Sequence, residues 1–363
     1  MRVLHWYWQT NAGGIHQVVS DLIRTQREDA SLEVRCVVGK DGAPCEPEVS
    51  TLGLRHGFDF LRYGAARRAL EWADLVHMHG YNPVIAAAVA RLGKPCVYTD
   101  HGSDRFPSLR NRIVVGQLQR RFVRDRADLV TVNSSHKQGD RADFYGIDDA
   151  RIRVVHNGLD FHGLARADLG SARASLPIPL EDRIVGTVAV FNVKKRIHLL
   201  LEAFAELEQG DVRLLVVGDG AIRQRLERRA RALGIAERTL FTGYCERARE
   251  LIALMDVFVL PTRDEGFGLA AVEALALRRP VIVFKDGGGL TEIVRDGETG
   301  FVVKDVAEAT RRIRQILGDA DLATRLGDAG ADDVRARFSI DAMAERTRRL
   351  YDEALAGIPL RTA

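Results

Sequence analysis

No uncharged apolar run in the 363-residue chain approaches the ~20 residues needed to cross a bilayer, which sets aside a membrane-spanning protein. Cysteine is scarce and scattered. Cys36, Cys45, Cys96 and Cys245 form no Cys-x-x-Cys pair and have no histidine cluster beside them, so neither a disulfide framework nor a zinc site is read, and a reducing cytoplasm fits best. A charge excess of one sign is missing as well. Residues 1–180 hold 24 Lys/Arg against 20 Asp/Glu and the remainder 29 against 30, so neither half carries the basic excess of a nucleic-acid-binding domain. No short repeat appears, which excludes a solenoid. The segment Met1–Trp8 has neither the apolar core nor the small-residue cleavage site of a signal peptide and reads as a first strand.

What is present is a 46% apolar chain of a length that suits two domains of roughly 170 residues each. Short β-rich runs alternate with longer amphipathic ones from end to end, the pattern of parallel βα units. A first series has expected strands at 2–8, 32–38, 73–78, 95–100, 128–133 and 152–156, with helical segments at 15–28, 83–92, 109–126 and 135–145. It closes near Asn157-Gly158. A second series has strands at 183–190, 212–217, 238–242, 256–260, 280–284 and 300–303, with helices at 196–208, 220–234, 246–254 and 268–277 and a helical tail from 306. The Ala-, Ser- and Pro-bearing segment 172–179 reads as a hinge. The expected division is an N-terminal domain over 1–170, a linker over 171–182, a C-terminal domain over 183–338 and a last helix over 339–363.

In open parallel sheets ligands bind beyond the carboxyl ends of the strands, so the chemistry is sought at strand-to-helix turns. Gly13-Gly14 opens the first helix, where glycine lets backbone approach a ligand and free N–H groups favour an anion or polar acceptor; a tight turn is the alternative. Gly218-Asp219-Gly220 is a weak dinucleotide signal, because the third glycine position is Arg223; a packed turn with Gly218 near a ligand fits better. The segment Leu260 to Glu273 is the strongest. Its helix is apolar nearly all round, so Glu273 is expected to be buried, and a buried carboxylate needs partners. Vicinal ribose hydroxyls would satisfy both oxygens; an internal arginine is the alternative. Backbone N–H groups of Gly266 to Leu269 could hold sugar hydroxyls or phosphate. Gly287-Gly288-Gly289 adds a second cradle. Asp319-Ala320-Asp321 reads as a solvated turn or cap, not a metal site.

These residues resemble the retaining glycosyltransferases of family 4. The resemblance rests on Gly13-Gly14, His101-Gly102, Asn157-Gly158-Leu159-Asp160, Leu199 to Phe204 and Gly218-Asp219-Gly220. It rests further on the two glutamates Glu265 and Glu273 around Gly266-Phe267-Gly268, on Gly287-Gly288 before Thr291 to Val294, and on a closing helix near Tyr351. It implies an α/β GT-B fold, two facing Rossmann-like domains with an interdomain cleft, and a last helix packing back across them.

It further implies that Glu273 binds the ribose of a nucleotide sugar and that Glu265 contacts donor-sugar hydroxyls. Gly266, Phe267, Gly268 and Leu269 hold sugar and diphosphate, and Lys195 neutralises the diphosphate. His101 sits by the reacting sugar, Gly14 faces the donor, and Gly13 with His16 lies on the acceptor side. Catalytic candidates are thus His101, Lys195 and Glu265. Where the family carries Gly-Arg five residues before the lysine, this chain has Ala189-Val190, and Lys194 and Arg196 are the flanking substitutes.

The expected activity is retaining, metal-independent transfer from a nucleotide sugar, UDP first, with GDP and ADP as alternatives. The acceptor is a hydroxyl of an envelope glycan, a lipid-linked molecule or a natural product. A catalytically impaired nucleotide-sugar-binding subunit is the competing reading. No cofactor is expected. Residues 105–126 carry seven arginines against one aspartate among apolar residues, a candidate peripheral contact with the inner membrane face.

Overall fold

The computed structural model describes residues 1–8, 14–40, 49–102, 109–162, 164, 169–207 and 210–357. The chain divides into two compact units. The first comprises Met1–Gly158 together with Ile340–Ala363, and the second Leu159–Ser339.

The first unit is built on seven parallel strands, β1 (Arg2–Tyr7), β2 (Glu33–Val38), β3 (Val49–Thr51), β4 (Leu75–His79), β5 (Cys96–Asp100), β6 (Leu129–Val132) and β7 (Ile152–Val154), in the order β3-β2-β1-β4-β5-β6-β7. Helices α1 (Gly14–Arg27), α2 (Tyr63–Glu71), α3 (Pro83–Leu92), α4 (Leu109–Arg126) and α5 (His136–Tyr145) connect them. Local chemistry sets their ends. Asn82 accepts hydrogen bonds from the Val84 and Ile85 amides at 2.9 and 3.1 Å, Pro83 fills the first helical position, and Gly93 closes α3 with φ of 62°. Leu4, Trp6, Val76, Met78, Tyr98 and Val130 on one sheet face pack with α2 to α5. The opposite face carries His5, His77, His79, Thr99 and Thr131, all buried.

The second unit starts with α6 (Leu169–Ala174) and has six parallel strands, β8 (Arg183–Val188), β9 (Val212–Val217), β10 (Thr239–Gly243), β11 (Val257–Leu260), β12 (Val281–Phe284) and β13 (Gly300–Val303), ordered β10-β9-β8-β11-β12-β13. Their Val/Ile/Leu-rich sequences suit strands covered on both faces. Helices α7 (Ile197–Ala205), α8 (Arg223–Ala232), α9 (Ala248–Ala253), α10 (Leu269–Ala276), α11 (Leu290–Ile293), α12 (Val306–Gly318) and α13 (Ala320–Arg337) supply that cover. The last helix, α14 (Ile340–Leu355), packs on α1 and β5 of the first unit.

Two expectations differ from this. Division falls at Gly158/Leu159, before the expected linker at 171–182, because that segment is packed into the second unit: Ala172 and Ile178 are buried, and the Arg173 guanidinium binds the carbonyls of Ile178, Pro179 and Asp182. Strand β3 and helix α2 were not expected at all. Asp319 caps α13 through the Leu322 amide at 2.9 Å, in line with the cap reading.

Candidate active site

In each sheet the strand order reverses beside the first strand, between β1 and β4 and between β8 and β11, which is where doubly wound sheets open a binding crevice. The candidate residues of the second unit follow the carboxyl ends of β8, β9, β11 and β12.

After β11 the chain runs through Pro261 to Gly268 before entering α10. This loop is tied to the one after β12 by backbone bonds. The Asp264 amide donates to the Asp286 carbonyl, the Glu265 amide to Gly287, and the Gly289 amide back to Glu265, each at 2.9 Å. The Gly287–Gly288–Gly289 run therefore first serves as a partner for the glutamate loop. Gly268 caps α10, and a Cβ there would lie 2.2 Å from Leu290 Cδ2. Phe267 is buried edge-on to Phe338 with ring centres 5.3 Å apart, so its side chain is a core anchor. Gly266 lies in this loop, and Leu269 begins α10.

Both glutamates meet cations. Lys195 Nζ donates to Glu265 Oε2 at 2.5 Å, with both side chains about one-fifth exposed. Arg249 Nε, on α9, donates to Glu273 Oε1 at 2.8 Å. Glu273 is largely but not fully buried, with 15% of its side chain exposed, and its resident partner is the arginine alternative. Burial raises its pKa, and Arg249 pulls in the opposite direction.

Arg196, a donor-binding candidate, is committed elsewhere. Its Nη1 and Nη2 grip Asp286 at 2.8 and 2.5 Å, and its Nε donates to the Pro261 carbonyl at 2.8 Å. Lys194 lies 3.6 Å from Asp264. Val190, at the position of the family's arginine, is exposed. Gly218 is pressed against the segment just after β8: a Cβ would stand 2.0 Å from the Ala189 carbonyl oxygen.

The Arg249–Glu273 pair predicts a double-variant result. Arg249→Met leaves a buried carboxylate without its cation and is expected to cost ~1–3 kcal/mol, below the 3–5 of a fully buried pair because Arg249 is one-third exposed. Arg249→Met combined with Glu273→Gln should recover most of that loss, read as the urea midpoint by circular dichroism. Additive losses would mean that the pair is not coupled.

In the first unit, His101 follows β5 and its Nε2 lies 3.2 Å from His79 Nδ1. Gly14 begins α1, and His16 follows it, with its ring centre 5.9 Å from that of Tyr7. Gly13 and residues 105–108 of the basic segment lie outside the described residues. The rest of that segment is in α4, which exposes Ile113, Val114 and Leu118. No helix among the described residues is long and apolar enough to cross a membrane.

Sequence reasoning missed His5, His77 and His79. His5 pairs in register with His77, and His79 with Thr99. The signal was His77-x-His79 in an expected strand, an i, i+2 spacing that puts both rings on one face. These rings, with Gln26 of α1 and Tyr351 of α14, form a buried polar seam. Burial holds the imidazoles neutral: His5 and His101 are pushed down to about 4, and His77 and His79 well below the ordinary value.

Two parallel sheets, each with its polar turns gathered at the strand ends, define a GT-B protein, and sequence comparison makes it more specific. Residues 170–333 match the profile of the glycosyl transferases group 1, and residues 12–162 that of glycosyltransferase family 4. The chain is 30% identical over 316 residues to D-inositol 3-phosphate glycosyltransferase 2 of Catenulispora acidiphila, covering 78% of this chain and 71% of that one. It is 28% identical over 295 residues to N-acetyl-alpha-D-glucosaminyl L-malate synthase of Bacillus anthracis, covering 78% and 75%. The structure of Anabaena HepE in complex with UDP and glucose superposes with a TM-score of 0.83 at 21% identity, over 97% of this chain and 100% of that one. The chain belongs to glycosyltransferase family 4 and is a glycosyltransferase.

Proposed function

We propose that the protein moves a sugar from a nucleotide sugar, UDP-linked first, to an acceptor hydroxyl, with retention of configuration and without a metal ion. The observation that carries this reading is the Lys195–Glu265 pair, on the segments that follow β8 and β11, with Glu273 one and a half turns inside α10 after the same loop. Cleaving an anomeric carbon–diphosphate bond requires stabilisation of the departing phosphate charge. Lys195, one-fifth exposed beside Glu265, is the cation placed to meet that charge, exchanging its carboxylate partner for the diphosphate. Amides at the start of α10 add donors and the positive end of a helix dipole. Glu273 takes the ribose hydroxyls beside Arg249, and Glu265 the donor-sugar hydroxyls. Gly14, Gly218 and the backbone of Gly266 to Leu269 complete the donor side. His101 meets the reacting sugar, while Gly13 and His16 serve the acceptor.

The relatives named as acting on inositol phosphate and malate, and the neighbour solved with UDP and glucose, support small hydroxyl-bearing acceptors and a UDP donor. Glycan and lipid-linked acceptors belong to the same class. Peripheral contact with an anionic membrane surface is supported by exposed Ile113, Val114 and Leu118 beside Arg120 and Arg124. A second reading, nucleotide-sugar binding without transfer, is favoured by the exposed Val190 in place of the phosphate-gripping arginine.

Thermal unfolding with UDP, GDP, ADP and dTDP, with and without magnesium, tests the reading on this protein and on Glu273→Ala. A nucleotide at about 100 times its Kd stabilises the folded state by about 2.7 kcal/mol. UDP is expected to shift the transition without magnesium, and Glu273→Ala to lose the shift. A nucleotide-independent melt overturns the donor site. A shift without product release from UDP-sugars selects the second reading.

A further inference from the structure

We propose that Gln26, His5 and His79 are positioning residues for His101, fixing its imidazole as the Nε2–H tautomer with the Nδ1 lone pair left to accept a hydrogen bond from a sugar or acceptor hydroxyl. The inference rests on the reading of His101 as part of the transfer site.

Direction in the seam follows from one amide. Gln26 places its Oε1 2.8 Å from His5 Nε2 and its Nε2 3.2 Å from the Tyr351 hydroxyl. An amide oxygen only accepts, so His5 carries its proton on Nε2 and is bare at Nδ1. His5 Nδ1 lies 3.0 Å from His79 Nε2, which must therefore donate, leaving His79 Nδ1 bare. His79 Nδ1 lies 3.2 Å from His101 Nε2, which must donate in turn. The chain ends at His101 Nδ1, which is buried and has no hydrogen-bond partner among the described residues.

The other branch from Gln26 closes without conflict. Tyr351 accepts from the amide and donates to His77 Nδ1 at 2.7 Å. His77 Nε2 then donates to Thr99 at 2.7 Å, and Thr99 to Thr131 at 2.6 Å.

Three features make this more than a packed polar core. First, every ring nitrogen of His5, His77 and His79 already faces a partner, so although their ligand atoms lie within 4.8 Å of one another, the rings read as a hydrogen-bonded relay and not as a metal cluster. Second, burial keeps the rings neutral, so each carries one proton and the tautomer of one dictates the next. Third, the ring nitrogen of this relay that has no partner among the described residues is at the strand end where the family resemblance puts the reacting sugar. A neutral acceptor there selects a hydroxyl group over a phosphate, which accepts hydrogen bonds and would call for an imidazolium.

Imidazole nitrogen shifts in the 15N-labelled protein test the relay, with His101 assigned by comparison with His101→Gln. Wild type is expected to show His101 protonated at Nε2 only. Gln26→Met should convert that signal to a tautomer mixture. Gln26→Asn, too short to reach His5, replaces Gln26→Met if that variant does not fold. A wild-type His101 protonated at Nδ1, or a tautomer indifferent to Gln26→Met or Gln26→Asn, overturns the proposal.

A purely structural role for Gln26 would lower stability without moving the tautomer. In a UDP-sugar transfer assay, Gln26→Met is expected to lower kcat about tenfold with donor KM unchanged. If the tautomers respond as expected while kcat does not, the relay stands and the place of His101 in transfer fails.

Discussion

Lowering the pH from 8 to 5 is expected to unfold the first unit while the second remains folded. His5, His77 and His79 are all below 7% exposed, and all have pKa values depressed by burial. A histidine whose folded pKa is depressed contributes stability that is present above its ordinary value of about 6.5 and is lost as the pH falls toward the folded value, about 4 for His5. By pH 5 His5, charged when unfolded but neutral when folded, has given up about 2 kcal/mol, since one unit of pKa is worth about 1.4. His77 and His79, depressed by burial in the same direction, add to that loss, a large share of the ~5–15 kcal/mol that holds a domain together. Glu273, in the second unit, has a raised pKa, so its contribution runs the other way and favours the fold as pH falls.

All three tryptophans, Trp6, Trp8 and Trp72, are in the first unit, so their fluorescence isolates it, while circular dichroism follows the remaining helices. Replacing His77 with Gln should flatten the pH dependence by the share of one proton. An unchanged urea midpoint for the fluorescence signal between pH 8 and 5 would show that the rings are charged inside the fold.

The same seam shows where the sequence was legible and where it was not. Short apolar runs bounded by turn residues mark buried parallel strands, so β9, apolar but for Arg213, and β13, Gly300 to Val303, were placed to the residue. Helix α10 announced itself by small apolar residues on every side, and with it the burial of Glu273. Chain-distant partners were invisible. Nothing near Glu273 in sequence names Arg249, and nothing near His5 names Tyr351, 346 residues away. Strand β3 has three residues at a sheet edge, too few for a periodic signal. Helix α2 has only two buried residues, Ala66 and Leu70, too weak an apolar stripe to stand out. Composition misled at 171–182, where prolines suggested a hinge although the segment buries Ile178 and is tied down by Arg173.

Gly218→Val is expected to unfold the second unit or cost it about 2–6 kcal/mol, the sum of backbone strain and overpacking. Gly218 has φ of +127°, and its amide donates to the Gly243 carbonyl at 2.9 Å, so the turn cannot relax without breaking the β9–β10 junction. An added Cβ would sit 2.0 Å from the Ala189 oxygen and 3.3 Å from Phe191 Cε1. Ala189 belongs to the loop leading from β8 to Lys195, so any accommodation displaces the lysine proposed to meet the diphosphate. A variant that survives should therefore lose the UDP-induced thermal shift as well as stability. Gly234→Asn separates the two causes: φ there is +70°, but a Cβ meets nothing within 4 Å, and asparagine tolerates the left-handed region, so a loss below ~1 kcal/mol is expected. Comparable losses at both sites in the circular dichroism midpoint would make backbone conformation the whole constraint. A loss confined to Gly218 places the constraint in this turn, in its φ of +127° together with the contact with Ala189, one residue before the position where this chain carries valine in place of the family's arginine. The glycine would then fix the path of the β8 loop and, through it, the placement of the one nearby cation, Lys195, that is held by Glu265.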